Sequence, residues 1–127
     1  MATVHREPNQ VKWIGVRPGH NGDEVLININ VAVNTLLYTV PADKILFIFS
    51  WQLSFINNTG GGGYLYLRDN LGAEYYVLAY VNGNAGSAGG TLANNTFVPI
   101  EVVAGHDIYL TTSAVMRGGV QGILIDT

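Results

Sequence analysis

The stretch EVLININVAVN, Glu24 to Asn34, decides the fold class. Val25, Ile27, Ile29, Val31 and Val33 fall on one side of an extended chain, and Glu24, Asn28, Asn30 and Asn34 on the other. Side chains on a pleated backbone point alternately to opposite faces, so this period of two predicts a half-buried strand. Working outward, Thr35 to Val40 reads as a short strand stopped by Pro41. The turn Val40-Pro41-Ala42-Asp43-Lys44 then launches a longer strand on which Ile45, Phe47, Phe49, Trp51, Leu53 and Phe55 share a face. That face is expected to be the heart of the core. The other side carries apolar Leu46 and Ile48 and then polar Ser50, Gln52 and Ser54. Its first half is therefore expected to be covered on both sides, by the chain's own N-terminal residues or by a subunit contact.

Beyond a loop at Asn57 to Gly63, strands are expected at Tyr64 to Arg68 and Ala73 to Val81, joined by the hairpin signal Asp69-Asn70-Leu71-Gly72. A second small-residue loop, Asn82 to Gly90, precedes strands at Thr96 to Val102 and Ile108 to Val115, and Val120 to Asp126 closes the pattern. With Val11 to Val16 added, the count is roughly eight to nine strands, with no helical period, which predicts one antiparallel β-sandwich of jelly-roll type. The turns Val40 to Ile45 and Val102 to Ile108 resemble each other and are candidates for equivalent hairpins in the two sheets.

A length of 127 residues suits a single domain. The organisation expected is an N-terminal arm over residues 1–10 and a sandwich over 11–127. Hydrophobic residues make up 48% of the chain but charged residues only 12%, about half the usual charged share. A surface this poor in charge must be clothed in neutral polar groups or buried against other subunits. The net charge is −3 and the six cations are scattered singly, as Arg6, Lys12, Arg17, Lys44, Arg68 and Arg117. No nucleic-acid partner is expected, because a phosphate backbone needs a basic stripe. The apolar run Ile45 to Ile56 is interrupted by Ser50, Gln52 and Ser54 and is too short to span a bilayer as a helix. No membrane partner is expected either, and the opening MATVHREPNQ has no apolar signal core.

No catalytic constellation is legible. With no cysteine, thiol chemistry and Cys-ligated zinc are out. His5, His20 and His106 stand apart, and His106-Asp107, adjacent in extended chain, point to opposite faces, so no metal is expected. The run Gly60 to Gly63 lacks the Lys-Ser/Thr pair and following helix of a phosphate cradle. Between Ile45 and Ile100 the acids are Asp69 and Glu74, which flank a turn rather than face a groove. The expectation is a protein that is not an enzyme and takes no cofactor.

Aromatic residues supply the candidate site. Tyr64 and Tyr66 share one strand face with Leu65 and Leu67 opposite, and Tyr76 and Tyr80 share a face of the next strand. Leucines in and tyrosines out would give a platform able to pack a partner subunit, stack a glycan, or stand as plain β-surface. Core packing is the rival reading for Tyr75, beside Val77, Ala79 and Val81. Val4, His5 and Arg6 of the N-terminal arm, and Trp13, join Tyr64, Tyr66, Tyr76 and Tyr80 as interface candidates.

Two stretches, Tyr38-Thr-Val-Pro-Ala-Asp-Lys-Ile-Leu-Phe-Ile48 and Phe97-Val-Pro-Ile-Glu-Val-Val-Ala-Gly-His-Asp-Ile-Tyr-Leu110, resemble the jelly-roll structural proteins of tailed bacteriophages. Those domains carry a T-V-P-A-G-K turn before one apolar strand and a P-I-x-V-x-A-G turn before another, and Asp43 stands here where the first has Gly. The resemblance implies a virion component assembled in the host cytoplasm, such as a capsid decoration, fibre or tail-tip protein. It also implies a homo-oligomer, with a trimer favoured, and a major capsid or tail protein as partner. The alternative is a carbohydrate-binding or host-recognition module of the same fold.

Overall fold

The computed structural model describes residues 22–55, 59–85 and 91–127. Eight strands run in chain order: β1 (Asp23–Val31), β2 (Thr35–Thr39), β3 (Lys44–Phe55), β4 (Thr59–Arg68), β5 (Glu74–Ala85), β6 (Thr91–Val103), β7 (Asp107–Thr112) and β8 (Met116–Asp126). They form two four-stranded antiparallel sheets, β1-β8-β3-β6 and β2-β7-β4-β5. The first strand pairs with the eighth, the second with the seventh, the third with the sixth and the fourth with the fifth. This nesting is the jelly roll, a long hairpin rolled up into a sandwich. The predicted strand Val11 to Val16 lies outside the described residues.

The alternation that opens the chain is seen in β1, where Ile27 and Ile29 are buried and Leu26, Asn28 and Asn30 are exposed. The strand ends at Val31, so Val33, expected on the buried side, is 68% exposed. Between the sheets lies one core that includes Leu46, Ile48, Leu53, Leu65, Leu67, Val102, Ile108, Leu110 and Met116, all almost wholly inaccessible to solvent. Within the first sheet, the neighbouring strands β8 and β3 come close at one point. There Gly118 has φ +154°, and a Cβ on it would stand 1.9 Å from the Gln52 carbonyl oxygen, so no other residue fits without moving the backbone of β3.

Strand β3 departs from the expected single face. Its pairing steps from Ile48 to Ser50 against both neighbours, while β8 advances by one residue from Gly122 to Gln121, so β3 carries a β-bulge at Phe49. An extra residue on one strand reverses the sense of alternation beyond it. Before the bulge, Leu46 and Ile48 enter the core; after it, Trp51, Leu53 and Phe55 do. Phe47 and Phe49 instead lie on the outer side of the sheet in a second apolar cluster with Ile45, Ile123 and Ile125. The double covering expected for the first half is present in one respect, since Phe47 is buried although it faces outward.

Strands β4 and β5 are longer than the sequence pattern suggested. Residues 59–63, expected as loop, continue β4, and 82–85 continue β5. Glycine carries no side chain to alternate, so a pairing such as Gly61 with Gly83 leaves no trace in hydropathy. The segment is held from the other side as well, by Ser113 donating its N–H to the Gly62 carbonyl at 3.0 Å and accepting at Oγ from the Gly62 N–H at 3.0 Å. The Asp69 hairpin is as expected: Asp69 Oδ1 accepts from the N–H groups of Leu71 and Ala73, and Gly72 has φ 86°.

The two similar turns are not hairpins. One carries the chain from β2 to β3 and the other from β6 to β7, so each crosses between sheets. They lie side by side, with the Val40 N–H donating to the His106 carbonyl at 3.0 Å and the Gly105 N–H donating to the Val40 carbonyl at 2.9 Å. Their shared chemistry is real: Asp43 has φ 61° and Gly105 φ 81°, the left-handed backbone that glycine adopts freely and Asp tolerates.

Candidate functional site

The outer face of the β2-β7-β4-β5 sheet collects most of the tyrosines. Strand β4 puts Leu65 and Leu67 inward, fully buried, and Tyr64, Tyr66 and Arg68 outward. Strand β7 alternates likewise, with Ile108, Leu110 and Thr112 inside and Asp107, Tyr109 and Thr111 outside. Directly opposed residues of an antiparallel pair share a face. Cross-strand pairing therefore lays down one row, Leu36–Tyr109–Tyr66–Val77, across all four strands. Its two ends, Leu36 and Val77, are 49% and 46% exposed.

The rings of this face lean on one another. Tyr64 stacks on Tyr66 at 4.6 Å between centroids and on Tyr80 at 6.4 Å, and Tyr66 meets Tyr109 at 5.6 Å in a tilted contact. The Arg68 guanidinium sits 4.0 Å over the Tyr109 ring and donates to Asp107 Oδ2 at 2.9 Å, while Thr39 donates to Asp107 Oδ1 at 2.7 Å. Tyr66 OH and Thr111 Oγ1 share a hydrogen bond of 3.1 Å. Tyr64 and Tyr66 cover each other's ring faces, and Tyr66 is buried among its neighbours on this face.

Of the residues singled out from sequence, Tyr64, Tyr66 and Tyr80 come together. Tyr76 does not join them. Register shifts between Leu65 and Tyr66 and between Leu67 and Arg68 make Tyr76 the partner of Leu67, on the other side of the sheet from Tyr80. The same irregularities correct the reading of Tyr75 and Val77 as core: both are about half exposed, while Ala79 and Val81 are buried. Tyr75 reaches His106 instead, with its hydroxyl 3.1 Å from Nδ1 and the rings in an edge contact. Burial, and then the charge of Asp69, push the Tyr75 hydroxyl above its ordinary pKa. Val4, His5, Arg6 and Trp13 lie outside the described residues.

The sequence reading missed Tyr109, Arg68 and Asp107 as members of this face. The alternation Asp107-Ile-Tyr109-Leu-Thr111 carried the signal, since Ile108 and Leu110 point the other three outward. His106 and Asp107, adjacent in sequence, take different partners, Tyr75 and Arg68. Among the described residues no three His, Asp or Glu side chains converge as metal ligands would.

No protein-family model matches the sequence, and no curated protein does. Among solved structures, the chain is similar to the virus-like particle of extra small virus from the giant freshwater prawn Macrobrachium rosenbergii. The identity is 13%, the match covers 87% of this chain and 82% of that one, and the TM-score is 0.40. At that overlap the assignment to the jelly rolls rests on the strand order, not on the likeness.

Proposed function

We propose that this chain is a non-catalytic structural subunit of a virus-like particle, built into or onto its surface as a capsid decoration or related virion component, and acting through contacts with further copies of itself. The observation that carries this reading is the unbroken row Leu36–Tyr109–Tyr66–Val77, with Tyr80 beside it 60% exposed. Four adjacent strands place the ends of the row about 14 Å apart, with Leu36, Val77 and Tyr80 presenting exposed apolar surface around the buried Tyr66, the kind of surface that marks contact with another protein. Jelly rolls of eight strands serve in viral capsids. The two crossover turns, with left-handed backbone at Asp43 and Gly105, are the motifs that resemble those of phage structural proteins. A homotrimer in the virion, assembled in the host cytoplasm and seated on a major capsid or tail protein, is the specific form proposed.

Size-exclusion chromatography with light scattering on the purified chain tests it. The expected result is a discrete oligomer that the double variant Val77→Lys, Tyr80→Lys converts to monomer without lowering its melting midpoint. A wild-type chain that stays monomeric and does not co-purify with particles overturns the reading.

A further inference from the structure

The outer face of the other sheet, β1-β8-β3-β6, holds a groove of about 490 Å³. It follows from the residue that β8 places in the middle of a cross-strand row. Gly119 pairs with Asn28 on β1 and with Gln52 on β3, so two amide side chains stand on either side of a strand position that has none. The trough between them spans two strand spacings, about 9 to 10 Å. In the next row Gln121 forms an end wall and is held on both sides, accepting from Ser50 Oγ at 3.3 Å and donating to Glu24 Oε1 at 3.1 Å. Arg117 stands exposed at the opposite end, and Leu26, 65% exposed, lines the β1 side.

We infer that this groove is a carbohydrate-binding site that takes a hydroxyl-rich glycan. Vicinal hydroxyls both donate and accept, and so do the planar amides of Asn28 and Gln52, whose separation across bare Gly119 leaves room for a sugar ring to bridge them. Among the described residues neither amide has a hydrogen-bond partner of its own, whereas Gln121 is already engaged. Leu26 offers an apolar surface to the C–H side of a ring. Arg117 supplies a fork of donors for vicinal oxygens, or for the carboxylate of an acidic sugar, at one end. A partner protein fits the groove itself less well, because its outward side chains, Leu26 apart, are polar: Asn28, Ser50, Gln52, Ser54, Arg117 and Gln121. The inference goes beyond the assembly role and does not depend on it.

The test is a glycan array probed with the labelled full chain, followed by titration of any hit by calorimetry. Binding is expected to weaken about tenfold in Asn28→Ala and again in Gln52→Ala. It should be abolished in Gly119→Val, which fills the trough and whose Cβ meets only the Ile27 carbonyl oxygen, at 3.2 Å. Should Gly119→Val fail to fold, the two exposed amide variants decide the matter. Tyr80→Lys should bind as wild type does, which separates this site from the proposed subunit interface. An array without hits overturns the inference, as does a glycan whose affinity is unchanged in Asn28→Ala and Gln52→Ala. Hits confined to acidic sugars and lost in Arg117→Gln would assign the Arg117 end to a carboxylate. Neutral hits that survive Arg117→Gln would support the amide pair as the site.

Discussion

The two outer faces of this sandwich are made by the same period of two and end up unlike each other. On the β2-β7-β4-β5 sheet an aromatic and aliphatic row runs from edge to edge. On the β1-β8-β3-β6 sheet the face is divided: Ile45, Phe47, Phe49, Ile123 and Ile125 occupy one half, and the polar groove around Gly119 the other. The division falls at the Phe49 bulge. Upstream of it the outward positions of β3 are apolar, and downstream they are Ser50, Gln52 and Ser54. One inserted residue thus lets a single strand feed the core along its whole length while showing two chemistries to the outside.

Deleting Phe49 should break that division most severely. Restoring strict alternation would turn either Leu46 and Ile48, or Trp51, Leu53 and Phe55, out of the core. At about 1.5 to 3 kcal/mol for each large side chain exposed, the loss is comparable with the whole stability of a typical domain. The expected outcome is a chain with no cooperative thermal transition by circular dichroism. A folded deletion variant would show that the bulge can migrate.

Substitutions on either side of the bulge sharpen the same point. Leu46→Ala empties a fully buried site and is expected to cost about 2 to 5 kcal/mol. Phe49→Ala, on the partly exposed outer face, should cost distinctly less although the side chain removed is larger. Urea unfolding at matched m-values compares the two, and equal costs would mean that both faces of the β3 start are equally closed.

The smallest effect is expected at the hairpin that carries the tyrosine sheet from β4 to β5. Backbone N–H groups, that of Ala73 foremost and then that of Leu71, hold the Asp69 carboxyl below its ordinary pKa of 3.8. A carboxylate with a lowered pKa in the folded state stabilises above its unfolded value and loses that contribution as the pH falls through the folded one. Asp69→Asn should therefore lower the melting midpoint slightly at pH 7, and the gap to wild type should close as the pH is taken below 3.8. A gap that persists in acid would assign the effect to turn geometry instead of charge.

The pattern of what the sequence revealed has a physical cause. In β1 and β7 one face is mostly polar or aromatic, Leu26 being the exception, and the other mostly aliphatic, so the phase of alternation could be read directly. In Ile45 to Phe49 and in Tyr75 to Leu78 every position is apolar, and a chain with no polar face fits either phase of alternation equally well. The bulges of β3 and β5 lie in or beside those runs, which is why strict alternation puts Phe47 and Phe49 in the main core and Tyr76 beside Tyr80. The groove was out of reach for a related reason. Its defining residue is a glycine, and its flanking amides, Asn28 and Gln52, become neighbours of one strand only through register.

The nested pairing also sets when this molecule can exist at all. Strand β8 lies between β1 and β3, so Val25 on the first strand and Gly122 on the eighth must meet before that sheet can close. Contacts so distant in sequence must be bought with loop-closure entropy before any burial rewards them, which places such folds among the slow ones. A nascent chain emerging from the ribosome can pair β2, β7, β4 and β5 earlier, but it cannot finish the β1-β8-β3-β6 sheet until its eighth strand is free, and until then the apolar inner faces of the strands remain exposed to their neighbours. Folding and the crowding of copies thus compete for the same surfaces.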